Sequence, residues 1–148
     1  MIDSPNLFYE DVDLGDEIGP IQRIVTHENV LDFISIREKT PKPSRFTSKD
    51  VAVKEGLDTA IVPGVMNIAM MSQLITSWTP NVRLKKIDVV FRQTVPHNTI
   101  LILKGIITEK VDDPSTAEIG CDITMETEAG VKMIIGNAIL ALPRKILR

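Results

Sequence analysis

Cysteine, histidine and aromatic residues are scarce in this sequence, which has one Cys, two His, one Trp and one Tyr in 148 residues. A single cysteine excludes an intrachain disulfide, and one thiol with two distant histidines does not make a zinc-binding pattern. The sequence also lacks a phosphate-binding P-loop, a GxGxxG fingerprint and a GxSxG nucleophile motif. We therefore expect no metal site and no tightly bound cofactor.

Long apolar runs and an excess of basic charge are absent as well. No stretch approaches roughly 18 uninterrupted apolar residues, so no membrane-spanning helix is predicted. The net charge is −3, and a mildly acidic chain is a poor candidate for general nucleic-acid binding. The first residues lack the basic flank and apolar core of a signal peptide. Together with the single Cys121, this predicts a cytoplasmic protein that binds neither membranes nor nucleic acids.

The composition is that of one globular domain, which we place over residues 1–148, with 43% hydrophobic and 25% charged residues. The first part of the chain predicts a short strand at 21–25 and a helix at 27–38. Two prolines make residues 39–46 a loop, and a short helix follows at 49–55.

The most distinctive segment contains no charged residue from 64 to 82. It follows Pro63, and proline is favoured at helix starts because its missing N–H would be unpaired there. Apolar residues cover most of the surface of a helix drawn over residues 64–78. A helix of this kind must be buried along most of its length.

The chain after residue 81 has the pattern of β-structure. It predicts a four-stranded antiparallel meander with strands at 82–93, 100–110, 116–126 and 131–142. A bulge is expected near Lys85-Lys86, and the third strand alternates cleanly between apolar and polar residues. A sheet with one apolar face beside one apolar helix packs best by wrapping around the helix, an α+β arrangement. Its open edge and second face predict dimerisation.

One feature has the character of a binding site. The first backbone N–H groups of the long helix, at Gly64 and Val65, have no partners within the helix, and the helix dipole adds positive potential there. A carbonyl oxygen or an oxyanion could be held at this point. A local basic cluster precedes it and could contact a phosphate; it consists of Arg37, Lys39, Lys42, Arg45, Lys49 and Lys54.

Three stretches, in order along nearly the whole chain, resemble a known family. They are residues 8–17 (FYEDVDLGDE), 56–66 (GL followed by AIVPGVM) and 89–99 (VVFRQTVP followed by NT). They are similar to the opening, the entry to the central helix, and a strand and turn of the MaoC-like branch of the hotdog fold. That branch contains the (R)-specific enoyl-CoA hydratases and dehydratases. The resemblance implies a hotdog sheet around a central helix, usually dimeric, with an acyl-CoA thioester as ligand.

The sequence departs from this family at its catalytic signature, D-x-N-P-[LIV]-H. The signature belongs in the loop 39–46, and residues 33–49 contain neither Asp nor His. An ungapped count puts Pro41 and Phe46 at the Asp and His positions, and a shift by one residue puts Thr40 and Arg45 there. The helix start is retained while the acid/base pair is lost.

The resemblance and the departure together predict an acyl-CoA-binding subunit that is silent alone and forms a homodimer or heterodimer with another hotdog subunit. The thioester carbonyl would lie at Gly64 and Val65. The CoA phosphates would lie near some of Lys42, Arg45, Lys49, Arg83, Lys85, Lys86 and Arg92. An active atypical hydratase or hotdog thioesterase, with Glu38 or Asp50 as the nearest acid, is one alternative. A non-catalytic hotdog protein unrelated to CoA is the other.

Overall fold

This computed structural model describes residues 4–113 and 115–146, which contain five antiparallel strands and three α-helices. The remaining residues of the predicted domain, 1–3, 114 and 147–148, lie outside the described ranges. A short 3-10 turn at Tyr9–Asp11 comes first. The helices are α1 His27–Ser35, α2 Lys49–Lys54 and α3 Gly64–Thr76. The strands are β1 Glu17–Arg23, β2 Arg83–Phe91, β3 Leu101–Lys110, β4 Glu118–Thr127 and β5 Lys132–Ala141.

The strand order is β1-β3-β4-β5-β2, so the predicted four-stranded meander is wrong for its first strand. Strands β3, β4 and β5 do form a meander, but β2 pairs with β5, from Arg83 opposite Ala141 to Phe91 opposite Ile134. The reason is that β1 occupies the free side of β3, where Ile18 pairs with Gly105. Alternation within a strand reports which face is buried and not which neighbour it pairs with.

Two local features of the sheet are confirmed. The register of β2 slips between Leu84 and Lys86, as expected of the predicted bulge. The alternating residues Ile119, Cys121, Ile123 and Met125 of β4 are all buried in the core.

The ends of the helices differ from the prediction by one to three residues. The helix predicted over 27–38 ends at Ser35, because Arg37 and Glu38 both donate their N–H groups to the Ile34 carbonyl in a closing turn. The long helix ends at Thr76 rather than residue 78.

Helix α3 packs one face against the concave side of the sheet. Met70, Met71, Leu74 and Ile75 are buried there. The opposite face is exposed in the single chain, however, and Val65 retains 66% of its accessible surface. The helix is therefore buried along most of its length, as predicted, but on one side only, because one sheet covers only one side of a helix.

Substitution of Met70 by Lys tests this orientation of α3. A charge unpaired among apolar side chains costs several kcal/mol, a large part of the stability of a small domain. We expect Met70→Lys to abolish the cooperative unfolding transition, followed by circular dichroism in urea. Gln73→Lys, on the exposed face of the same helix, is the matched control. Equal midpoints for the two variants would contradict the packing described here.

Substitution of Gly136 by Ala tests the placement of β2 beside β5. A Cβ added at Gly136 would lie 2.2 Å from the Asp88 carbonyl oxygen on β2, so the strands would have to separate. We expect a loss of about 1–3 kcal/mol in the free energy of unfolding. The control is Gly120→Ala on β4, whose Cβ would come no closer than 3.2 Å to any atom, the nearest being the Glu109 Cβ. If β2 instead lay beside β3, Gly136→Ala would lower the free energy of unfolding no more than Gly120→Ala does.

Candidate functional site

A cleft of about 470 Å³ opens at the amino-terminal end of α3. Three parts of the chain line it. The first is the segment around α2, through Arg45, Phe46, Glu55 and Leu57. The second is the loop into α3 and its first turns, through Ile61, Val62, Gly64 and Asn67. The third is the end of β2 and the loop after it, residues 91–95.

The loop that leads into α3 is fixed from both sides by backbone hydrogen bonds. The Ile61 N–H donates to the Arg45 carbonyl at 3.0 Å, and the Val62 N–H donates to the Val95 carbonyl at 2.7 Å. Nε2 of His97 lies 3.1 Å from the Ile61 carbonyl oxygen, within hydrogen-bonding distance. The start of α3 therefore has a defined position before any ligand binds, which lowers the entropy cost of binding.

The start of α3 has free hydrogen-bond donors. Met66 and Asn67 donate their N–H groups to the Pro63 carbonyl, at 3.0 and 3.2 Å. The N–H groups of Gly64 and Val65 have no backbone acceptor among the described residues. Gly64 lines the cleft, whereas Val65 is exposed and is not among the lining residues. Two unpaired donors at the positive end of a 13-residue helix can hold a carbonyl oxygen or an oxyanion.

Two arginines give the cleft positive charge. The Arg45 guanidinium lies 5.1 Å from the centre of the Phe46 ring, and its Nη1 is 3.7 Å from Oε2 of Glu55. Arg92 has no carboxylate within 4.0 Å in the part of the chain that the structure describes. Its side chain is exposed and can therefore meet an anionic ligand.

Of the site residues predicted from the sequence, the structure brings Arg45, Gly64 and Arg92 together at one cleft. Lys42 lies in the exposed loop before it and does not line it. Glu38 is exposed just after α1 and also lies outside the lining. Of the seven cations considered for phosphate binding, five are absent from the lining: Lys42, Lys49, Arg83, Lys85 and Lys86.

Sequence reasoning missed four polar residues of the cleft: Glu55, Asn67, Gln93 and Thr94. Glu55, just after α2, is the one carboxylate among the lining residues. Asn67 is 2% exposed and its Oδ1 has no hydrogen-bond partner. The available signal for Asn67 was an amide side chain in the first turns of an otherwise apolar helix. The available signal for Glu55 was weaker, since a charged residue at a helix end is common.

The two histidines and the cysteine are not among the lining residues of the cleft. His27 and His97, distant in sequence, have ring centres 5.5 Å apart, which the sequence did not predict. Cys121 is 1% exposed, and burial raises the pKa of its thiol to about 11. It therefore remains a protonated core thiol, as predicted, because only the thiolate is a good nucleophile.

No group of three or more potential metal-ligating side chains occurs among residues 4–113 and 115–146. None of the helices in these ranges has the length and apolarity needed to cross a membrane.

Comparisons with known proteins identify the fold. No family model and no curated protein sequence matches the chain. Solved structures do match, at TM-scores of 0.79, 0.81 and 0.73. They are the R-hydratase PhaJ1 from Pseudomonas aeruginosa, a MaoC-like dehydratase from Rhodospirillum rubrum, and the ChsH1-ChsH2 complex from Mycobacterium tuberculosis.

The sequence identities to these structures are 16%, 14% and 14%, respectively. The alignments cover 95%, 96% and 88% of this chain, and 88%, 100% and 98% of the matched chains. The five-stranded antiparallel sheet around α3 is thus the hotdog fold of the MaoC-like dehydratases and R-hydratases, as the sequence resemblance implied.

Proposed function

We propose that this chain is a MaoC-like subunit that binds an acyl-CoA thioester, is catalytically silent alone and pairs with an active hotdog relative. The cleft at the start of α3 carries the proposal, because it combines free helix N–H groups with Arg45 and Arg92. The thioester carbonyl would accept hydrogen bonds from Gly64 and Val65, and the arginines would bind CoA phosphates. The cytoplasmic setting predicted from the sequence is part of this proposal.

The loop before α2 supports the silent role. Members of the family that this chain resembles activate water with an Asp and a His. An ungapped count along the sequence puts Phe46 at the His position, and a shift by one residue puts Arg45 there; both residues line the cleft. Phe46 has no basic group and Arg45 stays protonated near neutral pH, so neither accepts a proton from water.

The unpaired edge of the sheet supports pairing with a second hotdog subunit. Strand β2 is at the edge, and Val90 and Phe91 near its end are exposed. Helix α3 contacts β2, and its exposed face carries Val65 and Ala69. Edge strands with exposed apolar residues favour pairing with another chain. One similar structure is described as a complex of two chains, ChsH1 and ChsH2.

A second candidate function, an active atypical hydratase or thioesterase, is favoured by Glu55. This carboxylate lines the cleft, and in a water-excluding complex it could act as a general base. Its Oε2 lies 3.7 Å from Nη1 of Arg45, so both groups are at the same end of the cleft. Glu38, the acid favoured by the sequence, is not in the lining.

Titration with butyryl-CoA tests the binding proposal. We expect the affinity, measured by calorimetry, to fall as salt rises, because phosphate contacts with exposed arginines are screened. Arg92→Gln should weaken binding about tenfold and flatten the salt dependence. Arg23→Gln on β1, at the opposite edge of the sheet, is the control and should change neither. Salt-independent affinity would contradict the phosphate contacts, and no affinity would favour a hotdog protein unrelated to CoA.

A hydration assay with short, medium and bulky enoyl-CoA substrates tests the silent role. The isolated chain should turn over far below the rate typical of the family, since each lost acid or base costs roughly 10²–10⁴-fold. Turnover should appear when a second subunit with the intact Asp/His motif is added. Robust turnover by the chain alone that disappears in Glu55→Gln, but not in the control Glu38→Gln, would establish the active enzyme instead.

A further inference from the structure

Asn67 and Thr79 are the buried polar residues of the described ranges, and the buried Tyr9 hydroxyl donates to the Val111 carbonyl. Three partly exposed residues, Thr116, Thr124 and Arg144, each have one buried side-chain atom without a partner, but none of them lines the cleft. The Thr79 hydroxyl is fully used, since it accepts from the Leu7 N–H and donates to the Pro5 carbonyl, both at 3.0 Å. Oδ1 of Asn67 has no partner, although only 2% of the residue is exposed.

An unpaired buried amide oxygen destabilises a protein, because the hydrogen bonds it made with water are not replaced. Nearly all buried polar groups in native structures have a partner for this reason. The other buried residues of the same helix, Met70, Met71, Leu74 and Ile75, are all apolar. Asn67 lines the cleft, so a molecule bound in the cleft can reach its unpaired amide oxygen.

The position of Asn67 on α3 indicates which part of a ligand it would meet. Gly64 and Asn67 are three residues apart and share one face of the helix. Asn67 lies about 4.5 Å further along the axis, and helical side chains lean back toward the amino terminus. A ligand with its carbonyl at the Gly64 N–H would therefore place the first carbons of its acyl group next to the Asn67 amide.

We infer that Asn67 is a specificity-determining residue whose amide hydrogen-bonds a hydroxyl group carried by the acyl group of the ligand. The inference rests on the proposed function, because it takes the thioester carbonyl to lie at the start of α3. Among the buried lining residues, Asn67 alone offers a side-chain hydrogen-bond acceptor to the acyl group. The cleft thus selects a hydroxyacyl thioester over the plain saturated one.

Binding of butyryl-CoA, 3-hydroxybutyryl-CoA and 4-hydroxybutyryl-CoA to the full chain tests this inference. The wild-type chain should bind one of the hydroxylated probes about three- to tenfold more tightly than butyryl-CoA. Asn67→Leu should remove that preference while retaining butyryl-CoA binding. Its thermal midpoint without ligand should be equal or higher, because the unpaired amide is gone; a structural asparagine would give a lower midpoint.

Matched variants separate the remaining outcomes. Asn67→Met, a side chain already common in α3, repeats the test with a flexible residue should Asn67→Leu fail to fold. Ser72→Ala, whose hydroxyl donates within the helix to the Ile68 carbonyl, should leave the preference unchanged. Equal wild-type affinity for all three probes, or a preference that survives both Asn67 variants, would overturn the role of Asn67 but not the proposed function. Binding of none of the probes would overturn the proposed function itself.

Discussion

The packing of one face of α3 against the concave side of the sheet is the contact on which the rest of the structure depends. Met71, Leu74 and Ile75 belong to the same buried cluster as the inward residues of β4, such as Ile123 and Met125. This contact fixes the rotation of the helix about its axis. It therefore determines which residues of its first turns face the cleft and which face away.

The candidate site follows from that fixed rotation together with the backbone bonds around the helix start. Hydrogen bonds from Ile61 and Val62 hold the entering loop between the segment before α2 and the loop after β2. Donors at the start of α3 are thus rigid, while the arginines that flank them are exposed side chains. Such a site is suited to hold a neutral carbonyl by geometry and a phosphate by charge, with different salt dependence for each.

The polar residues of the cleft bear on function in different ways. Arg45 adds positive charge to the cleft, and its guanidinium is not a base at neutral pH. Glu55 adds a carboxylate, whose Oε2 lies 3.7 Å from Nη1 of Arg45. Asn67 can neither gain nor lose a proton, so the role proposed for it is recognition rather than proton transfer.

The sequence by itself determined the elements and their buried faces. The charge-free run predicted α3, alternation predicted the inward side of β4, and the paired lysines of β2 predicted its bulge. Local periodicity carries this information because it records which side of an element avoids water. Only the tertiary structure decided that β2 lies beside β5, and that Glu55, Asn67 and Arg92 meet at one cleft. The physical reason is that hydrophobic burial is non-directional. A periodic pattern indicates that a face is covered, but it does not indicate which distant segment covers it. The strand order of the folded sheet determines which segments become neighbours.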